Sequence, residues 1–480
     1  MSTKTAIVWF RRDLRLSDNP ALHAAHENGY SIIPLYILDD ENPGDGEKYG
    51  GAHRVWLYHS LKSLNNDLNN QLVLENGDPT DIIPKLIKKT NATAIFWNRC
   101  YEHWTIERDK EIKTHLKDNN VDVQTFNGSL LWEPWTIKNL SGDFYKVFTP
   151  FYRKGCLQAE APREPLSRPS KLSLADTDNL GISLEDLNLL PTNEGDWHTG
   201  LIKHWDLSEA GAQKRLNDFL DDGLSNYKDG RNHPSWNNVS RLSPYLNFGE
   251  ISPNQAWYAA QERGTAEGWE KDRDHFLSEL GWREFSYNLM YNYPKLKWEN
   301  IQEKFNNFPW TDEESEELEQ WRRGKTGYPI VDAGMRELYE TGYMHNRVRM
   351  IVGSFLVKNM LTHWHKGEEW FWDCLVDGDP ASNTASWQWI AGCGADAAPY
   401  FRIFNPILQS KKFDEAGDYI RKYVPELKDI PNEHIHAPWE APQGILEMAN
   451  IKLGDTYPHP MMEHSDARDK AMEAYQVIRK

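Results

Sequence analysis

Cysteines are few in this 480-residue sequence, and none lies near another. The four of them are Cys100, Cys156, Cys374 and Cys393. A structural zinc site or an iron–sulfur cluster needs cysteine pairs only a few residues apart, so the sequence predicts no metal centre. Thiols spaced in this way are typical of reduced cysteines in a reducing compartment.

Long apolar runs are missing as well. No stretch of about eighteen apolar residues occurs, so the sequence predicts no membrane-spanning helix. The first strand-like segment starts within a few residues of Met1 and leaves no room for a signal peptide. The hydrophobic share of 39% is nevertheless enough for globular cores. These features predict a soluble protein of the cytoplasm.

Positive charge is scarce too, because the formal net charge is −18. Most affinity for DNA comes from cations that neutralise phosphates, so a nucleic-acid site on this chain would have to be a local basic patch. What the sequence has in excess is tryptophan, with 21 residues. Large aromatic side chains usually fill a helical core, although so many indoles also suit a redox or stacking role.

The hydrophobic pattern divides the chain into three regions. Continuous apolar segments alternate with helix-like ones in residues 1–131, which is typical of parallel strands covered on both faces and predicts a doubly wound α/β domain. Residues 132–199 are predicted to be an interdomain linker. Residues 200–480 are predicted to be an all-α domain, since amphipathic stretches alternate there with helix stops. The strand-like segments are TAIVWF, SIIPLYIL, QLVLENG, ATAIFW and VDVQTF.

The turn after the first strand, FRRDLRLSDNP, has no glycine. This absence excludes the glycine-rich phosphate loops of Rossmann and P-loop proteins. We expect Arg11, Arg12 and Arg15 to lie in a solvated loop, with contact to an acidic ligand as the alternative.

Residue types that carry chemistry concentrate between residues 279 and 413. Two helical segments each place a polar residue, a large side chain and a guanidinium at i, i+3 and i+4 spacing, which puts them on one helix face. Charged groups at the start of an otherwise apolar helix seldom enter a core unpaired, so we expect them to line a cavity. Each pattern alone also suits an ordinary structural helix. The residues are Glu279, Trp282 and Arg283 in the first segment and Asn346, Arg349 and Met350 in the second.

Five segments of the helical region carry a family resemblance. They closely resemble the DNA photolyase/cryptochrome family, most of all the bacterial cyclobutane pyrimidine dimer photolyases, and the order and spacing agree from Ala6 to the end of the chain. The resemblance implies an antenna-binding α/β domain and a helical catalytic domain that holds FAD in a U-shaped conformation. The segments are GKTGYPIVDAGM, MHNRVRM, SFLVKNM, GDPASNTASWQW and DAAPYFRIFNP.

The resemblance also implies a set of flavin contacts. Asn383 matches the residue opposite the flavin N5 atom, where bacterial photolyases likewise have asparagine, whereas plant cryptochromes tend to have aspartate and animal ones cysteine. The phosphate-binding segment usually reads TSRLS, but Val239 replaces its threonine here, so one hydrogen bond to phosphate is lost or taken over by backbone. The implied contacts are Tyr227, Ser240, Leu242, Ser243, Arg283, Asn346, Arg349, Asp377, Asp379 and Asn383.

Three tryptophans match the electron-transfer chain of the family. Trp387 would lie nearest the flavin, followed by Trp364 and then by Trp310 towards solvent. Trp321 lies near Trp310 in the sequence and is the alternative for the outer position. Indole is oxidisable, and a chain of indoles replaces one long tunnelling step by short hops.

The implied substrate is an extruded pyrimidine dimer, because enzymes of this kind take the damaged bases out of the duplex. Two indoles would form an apolar wedge against the fused thymines, and a carboxyl and an amide would hydrogen-bond to them. Arginines would contact the phosphates beside the lesion, and Lys411 and Lys412 would extend that patch. The substrate residues are Glu279, Trp282, Asn346, Met350 and Trp389, and the phosphate contacts are Arg231, Arg347 and Arg402.

The resemblance therefore implies a deoxyribodipyrimidine photo-lyase. Excited reduced FAD would donate an electron to a cyclobutane pyrimidine dimer, which splits and returns the electron. The expected partner is ultraviolet-damaged DNA, so the enzyme would associate with the nucleoid, and a monomer is expected. The alternatives are a cryptochrome-type blue-light receptor, a (6-4) or single-stranded DNA photolyase, and a non-catalytic electron-transfer flavoprotein. The (6-4) enzymes have a catalytic histidine where this chain has Asn346, and His345 is predicted to face elsewhere.

Relatives often hold a light-harvesting antenna in the N-terminal domain. The resemblance favours methenyltetrahydrofolate over a deazaflavin. Glu107 resembles a folate-contacting acid, although the usual neighbouring asparagine is Ile106 here, and Trp56 is a candidate stacking residue. The alternative for Trp56 is that it only packs its helix on the sheet.

Overall fold

The computed structural model describes residues 4–40, 48–191, 197–397 and 401–479. The chain forms two compact units. The first contains Met1–Leu224, Ser240–Pro294 and Val376–Pro380, and the second contains Ser225–Val239, Lys295–Leu375 and Ala381–Lys480. Among the described residues, no helix has the length and apolar character needed to cross a membrane.

A five-stranded parallel sheet with strand order β3-β2-β1-β4-β5 forms the core of the first unit. In the centre of the sheet, Trp9 of β1 pairs in register with Leu35 of β2 and Trp97 of β4. These side chains are almost fully buried, as expected for parallel strands covered on both faces. The prediction of a doubly wound α/β domain is confirmed. The strands are β1 (Thr5–Phe10), β2 (Ser31–Leu38), β3 (Val73–Asn76), β4 (Ala94–Asn98) and β5 (Asp122–Phe126).

Four helices connect the strands, and local sequence explains where two of them begin. The side chain of Asn19 accepts a hydrogen bond from the Leu22 amide at the start of α1, and Asp78 caps α3 in the same way through Thr80. Proline follows each cap, where its missing amide hydrogen costs no helical hydrogen bond. The helices are α1 (Pro20–Glu27), α2 (Gly51–Asp67), α3 (Pro79–Thr90) and α4 (His103–Asp118).

The arginines of the turn after β1 are not in a solvated loop, so that expectation is wrong. Arg15 is fully buried. Its guanidinium donates to the carbonyl oxygens of Asp18 (2.7 Å), Gly128 (2.6 Å) and Gly249 (2.9 Å). Gly249 has a φ of +76°, and a Cβ atom there would lie 2.1 Å from the carbonyl oxygen of Arg12. The turn is therefore held by the buried guanidinium and by close backbone approach.

The predicted linker is part of the first unit. Leu174 forms an isolated parallel bridge with Ile32 of β2, and the Thr177 hydroxyl donates to the side chain of Gln71. Residues 192–196, at the end of this region, lie outside the described residues. The boundaries 1–131, 132–199 and 200–480 remain predictions, since the compact units divide the chain at other points.

Helices make up the rest of the chain, and no strand follows Phe126 within the described ranges. Trp321, Trp364 and Trp387 belong to the core of the second unit, which confirms the helical prediction. The helices are α5 (Phe148–Pro150), α6 (Trp197–Ile202), α7 (Glu209–Asp218), α8 (Tyr227–Gly230), α9 (Ser243–Phe248), α10 (Pro253–Ala266), α11 (Glu270–Asn292), α12 (Glu316–Arg322), α13 (Pro329–Thr341), α14 (Asn346–Ser354), α15 (Trp364–Cys374), α16 (Pro380–Ala391), α17 (Pro406–Phe413), α18 (Asp418–Tyr423), α19 (Gln443–Met448) and α20 (His464–Arg479).

Candidate functional site

Helix α11 of the first unit carries three of the predicted site residues. Glu279 is partly buried, and its carboxylate lies 3.9 Å from the imidazole of His275. The Trp282 indole stacks on Phe148, with ring centroids 3.8 Å apart and an interplanar angle of 10°. The Arg283 guanidinium donates to the carbonyl oxygen of Ser129 at 2.8 Å. One turn of helix thus presents a carboxyl, an indole and a guanidinium, as the spacing predicted.

The two acids of the segment Val376–Pro380 are tightly held within the first unit. Asp377 accepts a hydrogen bond from the Ser243 hydroxyl at 2.6 Å, and Asp379 accepts one from the Tyr287 hydroxyl at 2.5 Å. Burial raises the pKa of Tyr287 well above its usual value, so this phenol remains a donor at neutral pH. Both acids are more than nine-tenths buried. Their positions are therefore set by protein partners.

Sequence reasoning missed two residues of this network. Tyr287 lies four residues after Arg283 on α11, and the guanidinium sits 4.9 Å from the centre of its ring. Arg12 lies 3.8 Å from the Asp379 carboxylate. The i, i+4 spacing of Arg283 and Tyr287 was a usable signal. Arg12 offered none, because 367 residues separate it from Asp379.

The VSRLS segment has an unusual backbone at its middle residue. Arg241 adopts a φ of +52°, which is uncommon for a residue other than glycine, and its guanidinium lies 4.7 Å from the centre of the Trp205 ring. The carbonyl oxygen of Ser240 accepts from Arg215 at 2.9 Å. Leu242 is buried and precedes Ser243, where α9 begins. The predicted flavin contacts Ser240, Leu242 and Ser243 thus lie in a constrained bend.

Helix α14 of the second unit carries the other predicted cluster. Asn346 is exposed at its first position, and Met350 is partly buried one turn later. Arg349 donates through Nε to the carbonyl oxygen of Met344 at 2.7 Å. His345 caps the helix, with Nδ1 accepting from the backbone amide of residue 347, and it is buried. His345 and Asn346 therefore face different environments, as predicted: the histidine is buried and the asparagine is exposed.

Asn383 on α16 is held in one orientation. Its Nδ2 donates to the backbone carbonyl of Glu368 at 3.1 Å and to the Glu368 carboxylate at 3.2 Å. The same carboxylate accepts from the Thr384 hydroxyl at 3.1 Å. Because the amide nitrogen is engaged in this way, Oδ1 remains as the acceptor of the side chain.

The predicted inner tryptophans are both buried. Trp387 packs edge-to-face on Phe371 at 4.9 Å. A Cβ atom on Gly367 of α15 would lie 2.1 Å from the Trp387 ring, so only glycine at this position leaves room for the Trp387 indole. Trp364, three residues before Gly367 on α15, is fully buried and donates through Nε1 to Asn300 at 2.9 Å.

Trp310 is only partly buried, which suits the outer position. Its indole lies 5.2 Å from the ring of His363, and His363 lies 5.6 Å from Trp364. Trp321 is fully buried, 6.5 Å from Trp387. Trp321 is therefore unsuited to the solvent end of a chain.

Three predicted phosphate contacts form a cationic rim in the second unit. The Arg231 guanidinium lies 5.7 Å from the ring of Tyr227, that of Arg347 lies 4.4 Å from Phe413, and Arg402 is exposed. The pKa of Arg347 is lowered by burial and further by the charges of Arg231 and Arg402. Like charges thus lie close enough to repel one another, and a bound anion would relieve this. We call Arg231, Arg347 and Arg402 the arginine rim.

Trp389, the second predicted wedge residue, is partly buried in the second unit. Its Nε1 donates to the carbonyl oxygen of Asp396 at 3.2 Å. Residues 398–400, within the family motif DAAPYFRIFNP, lie outside the described residues.

The structure favours the second interpretation of Trp56, in which it packs its helix on the sheet. Trp56 is fully buried. Phe248 stacks on it at 5.9 Å, Tyr245 and Trp205 meet it edge-on, and its Nε1 donates to Glu250 at 3.0 Å. Trp56 therefore packs against these rings of its own unit.

Glu107, the other antenna candidate, lies exposed on α4 and pairs with Lys110 at 2.6 Å. It does not line a small pocket of the first unit. That pocket is lined by Arg12, Cys100, Tyr101, Glu102, Ser129, Leu246, Asn247, Arg283 and Tyr287.

Comparison with known proteins identifies the family. Residues 6–170 match a family model described as DNA photolyase, and residues 276–477 match one described as the FAD binding domain of DNA photolyase. The chain is 46% identical to a deoxyribodipyrimidine photo-lyase from Agrobacterium fabrum, and the match covers 100% of both chains. It is 37% identical to cryptochrome-2 of Arabidopsis thaliana, over 98% of this chain and 78% of the relative.

A solved structure agrees with these matches. A bacterial class III photolyase from Agrobacterium tumefaciens superposes with a TM-score of 0.95 at 45% identity, covering 100% of this chain and 98% of that one. The chain belongs to the DNA photolyase/cryptochrome family. The predicted family and the predicted fold are both confirmed, and a flavin-binding domain is present. The roles of individual site residues remain predictions.

Proposed function

We propose that the protein is a light-dependent deoxyribodipyrimidine photo-lyase that splits cyclobutane pyrimidine dimers in DNA. The observation that carries the proposal is the pairing of Glu279 with Trp282 on α11. The partly buried carboxyl of Glu279 lies one helical turn from the Trp282 indole. Phe148 stacks on one face of that indole, so a substrate ring would stack on the opposite face. A light sensor would need neither group, whereas a fused pyrimidine dimer needs an apolar wall and a hydrogen-bonding group beside it.

FAD is the proposed cofactor, and the donor sets of the described residues fit it. In the first unit, Ser243 and Asp377 are already hydrogen-bonded to each other, and Arg283 offers a guanidinium for a phosphate. In the second unit, Asn383 presents Oδ1 as an acceptor because Glu368 holds its nitrogen. Reduced FAD, when bound, supplies an electron on absorbing light and takes it back after the dimer has split. The further proposed contacts are Tyr227, Ser240, Leu242, Asn346, Arg349 and Asp379.

Each substrate residue has a separate proposed role. Trp282 and Trp389 provide apolar surfaces for the thymine rings, with Met350 beside them. Asn346 donates or accepts hydrogen bonds at the base edges. Glu279 donates a hydrogen bond to a carbonyl oxygen of the dimer as negative charge develops there, which requires the carboxyl to hold a proton.

The three tryptophans are proposed to deliver electrons from solvent towards the interior of the second unit. Trp310 is the partly exposed member, and Trp364 and Trp387 are buried. We also propose a methenyltetrahydrofolate antenna, rather than a deazaflavin, with exposed Glu107 as a candidate contact, whereas the burial of Trp56 argues against a stacking role for that residue. A monomer acting on nucleoid DNA in the cytoplasm completes the proposal.

A blue-light receptor is the second candidate function. It is supported by the 37% identity to Arabidopsis cryptochrome-2 over 98% of this chain. Photolyases specific for (6-4) lesions or single-stranded DNA are further candidates, but Asn346 rather than a histidine opens α14, which argues against the (6-4) enzymes.

Dimer splitting provides the test. Purified protein with reduced FAD is mixed with an oligonucleotide that carries one thymine cyclobutane dimer, and thymine absorbance is followed under blue light and in darkness. We expect recovery only under light. Absence of recovery with reduced FAD bound would reject the proposal in favour of the other lesions or of light sensing.

Two variants of α11 refine this test. Glu279→Gln should lower the quantum yield of splitting, because the carboxyl can no longer share a proton with the dimer. Glu270→Gln alters an exposed acid at the start of the same helix and should leave the yield unchanged. A full yield in Glu279→Gln would remove the proposed role of the carboxyl.

A further inference from the structure

A tight turn in the second unit presents two stacked rings. The carbonyl oxygen of His233 accepts a hydrogen bond from the Trp236 amide at 3.0 Å, and Pro234 occupies the second position of the turn, where its fixed φ is favoured. The imidazole and the indole lie 4.1 Å apart and 18° from parallel. Trp236 is 47% exposed. The turn therefore holds a large aromatic surface against solvent.

This turn is joined to the arginine rim. His233 Nδ1 lies 3.2 Å from the carbonyl oxygen of Phe413. The Arg347 guanidinium lies 4.4 Å from the centre of the Phe413 ring. Asn232, the residue before the turn, accepts from Arg347 Nη2 at 2.6 Å. The stacked pair and the rim are thus parts of one packed surface.

We propose that Trp236, supported by His233, is a stacking platform for a nucleobase of the DNA strand beside the lesion. This inference depends on the proposed function. Extrusion of a dimer leaves neighbouring bases without a stacking partner, and an aromatic side chain next to phosphate-binding cations is the usual replacement. His233 covers one face of the indole, so the base stacks on the other.

Charge favours DNA over another occupant. The whole chain carries a formal charge of −18, yet the rings adjoin Arg347, which the charges of Arg231 and Arg402 repel. A polyanion with planar, uncharged bases matches both halves of this surface. A second copy of this acidic chain matches only the rings.

Three variants test the platform by binding in darkness to a duplex that carries one thymine dimer. Trp236→Ala should weaken binding about tenfold, or about 1.4 kcal/mol, and Trp236→Phe should retain most of the affinity. The control is Trp298→Ala, because Trp298 is 55% exposed in the same unit and has Lys297 at 4.6 Å from its ring. The control should bind like the wild type.

The salt dependence of binding and the removal of single bases from the DNA test the platform independently. The slope of log affinity against log salt should be unchanged in Trp236→Ala, since an indole neutralises no phosphate. An abasic nucleotide is then placed in turn at each position beside the dimer. At one position, loss of the base should abolish the difference between wild type and Trp236→Ala.

The outcomes separate this inference from the proposed function. Wild-type protein without preference for the dimer rejects both. Preference in the wild type, with Trp236→Ala binding equally well or with Trp298→Ala losing as much, rejects the platform alone. The platform is also rejected if Trp236→Ala changes the molar mass in solution, because the rings would then be covered by a second copy.

Discussion

The two units of the molecule each contain a group of three arginines, and the groups differ in their neighbours. In the first unit, burial lowers the pKa of Arg15, but the carboxylates of Asp18 and Asp13 oppose that effect. In the second unit, burial lowers the pKa of Arg347, and the charges of Arg231 and Arg402 lower it further. The carboxylates of the first environment offset part of the cost of burying a guanidinium, whereas the arginines of the second add repulsion to that cost.

This difference separates structural arginines from binding arginines better than burial does. A guanidinium such as that of Arg15, in which all three nitrogens donate to carbonyl oxygens of its own chain, has little capacity left for a ligand. Clustered guanidiniums cost stability until an external anion neutralises them. On this basis, substitutions in the arginine rim should weaken DNA binding, and substitutions of the arginines after β1 should lower the free energy of unfolding.

The largest expected effect comes from removing Arg15. Arg15→Met leaves three buried carbonyl oxygens without their donor, so we expect the free energy of unfolding to fall by about 3–5 kcal/mol. Urea unfolding of the purified variant measures this. The matched variant Arg231→Met, in the arginine rim, should change it by less than about 1 kcal/mol. Equal losses in the two variants would break the comparison.

Glu250, a buried acid of the first unit, tests the same dependence of a charged group on its neighbours. Within the described part of the chain, Glu250 of the first unit accepts from two neutral donors, the Trp56 indole at 3.0 Å and the Ser60 hydroxyl at 2.5 Å. Burial raises the pKa of Glu250 from 4.5 to about 8. Without a cation beside it, the carboxyl should therefore be protonated at neutral pH.

The sign of the pH dependence follows from that shift. The folded protein binds the proton more tightly than the unfolded chain, so the stabilisation is complete below about pH 4.5 and is lost as pH rises through about 8. Glu250→Gln removes this titration. Between pH 6 and 8, the wild type should lose about 1.4 kcal/mol per pH unit relative to the variant in urea unfolding. Parallel curves would show that Glu250 is ionised in the folded state.

The sequence predicted the fold because the decisive signals are local. TAIVWF and SIIPLYIL form β1 and β2 over the same residues, since continuous apolar runs can only be buried on both faces. The partners of Arg15 include Gly128 and Gly249, more than 100 residues away. No local pattern distinguishes an arginine with such partners from a solvated one.

The same limit applies to the candidate site. Helical spacing was sufficient to place Glu279 and Trp282 one turn apart on α11, because both lie within one helix. The two interpretations of Trp56 stayed open because Trp205 and Phe248, which cover its ring, are about 150 and 190 residues further along the chain. Trp236 was not singled out, because exposure of an indole is decided by tertiary packing.

The smallest expected effect belongs to Arg347, and it separates binding from stability in one residue. Arg347→Met should weaken binding to dimer-containing DNA by about tenfold and reduce the salt slope by about 1, because one phosphate contact is lost. Its free energy of unfolding should stay the same or rise, since repulsion from Arg231 and Arg402 is relieved. Salt-dependent binding and urea unfolding of the same preparation measure both quantities. A loss of stability comparable to that of Arg15→Met would mean that the rim arginines are structural as well, and that the neighbours of a guanidinium do not reveal its role.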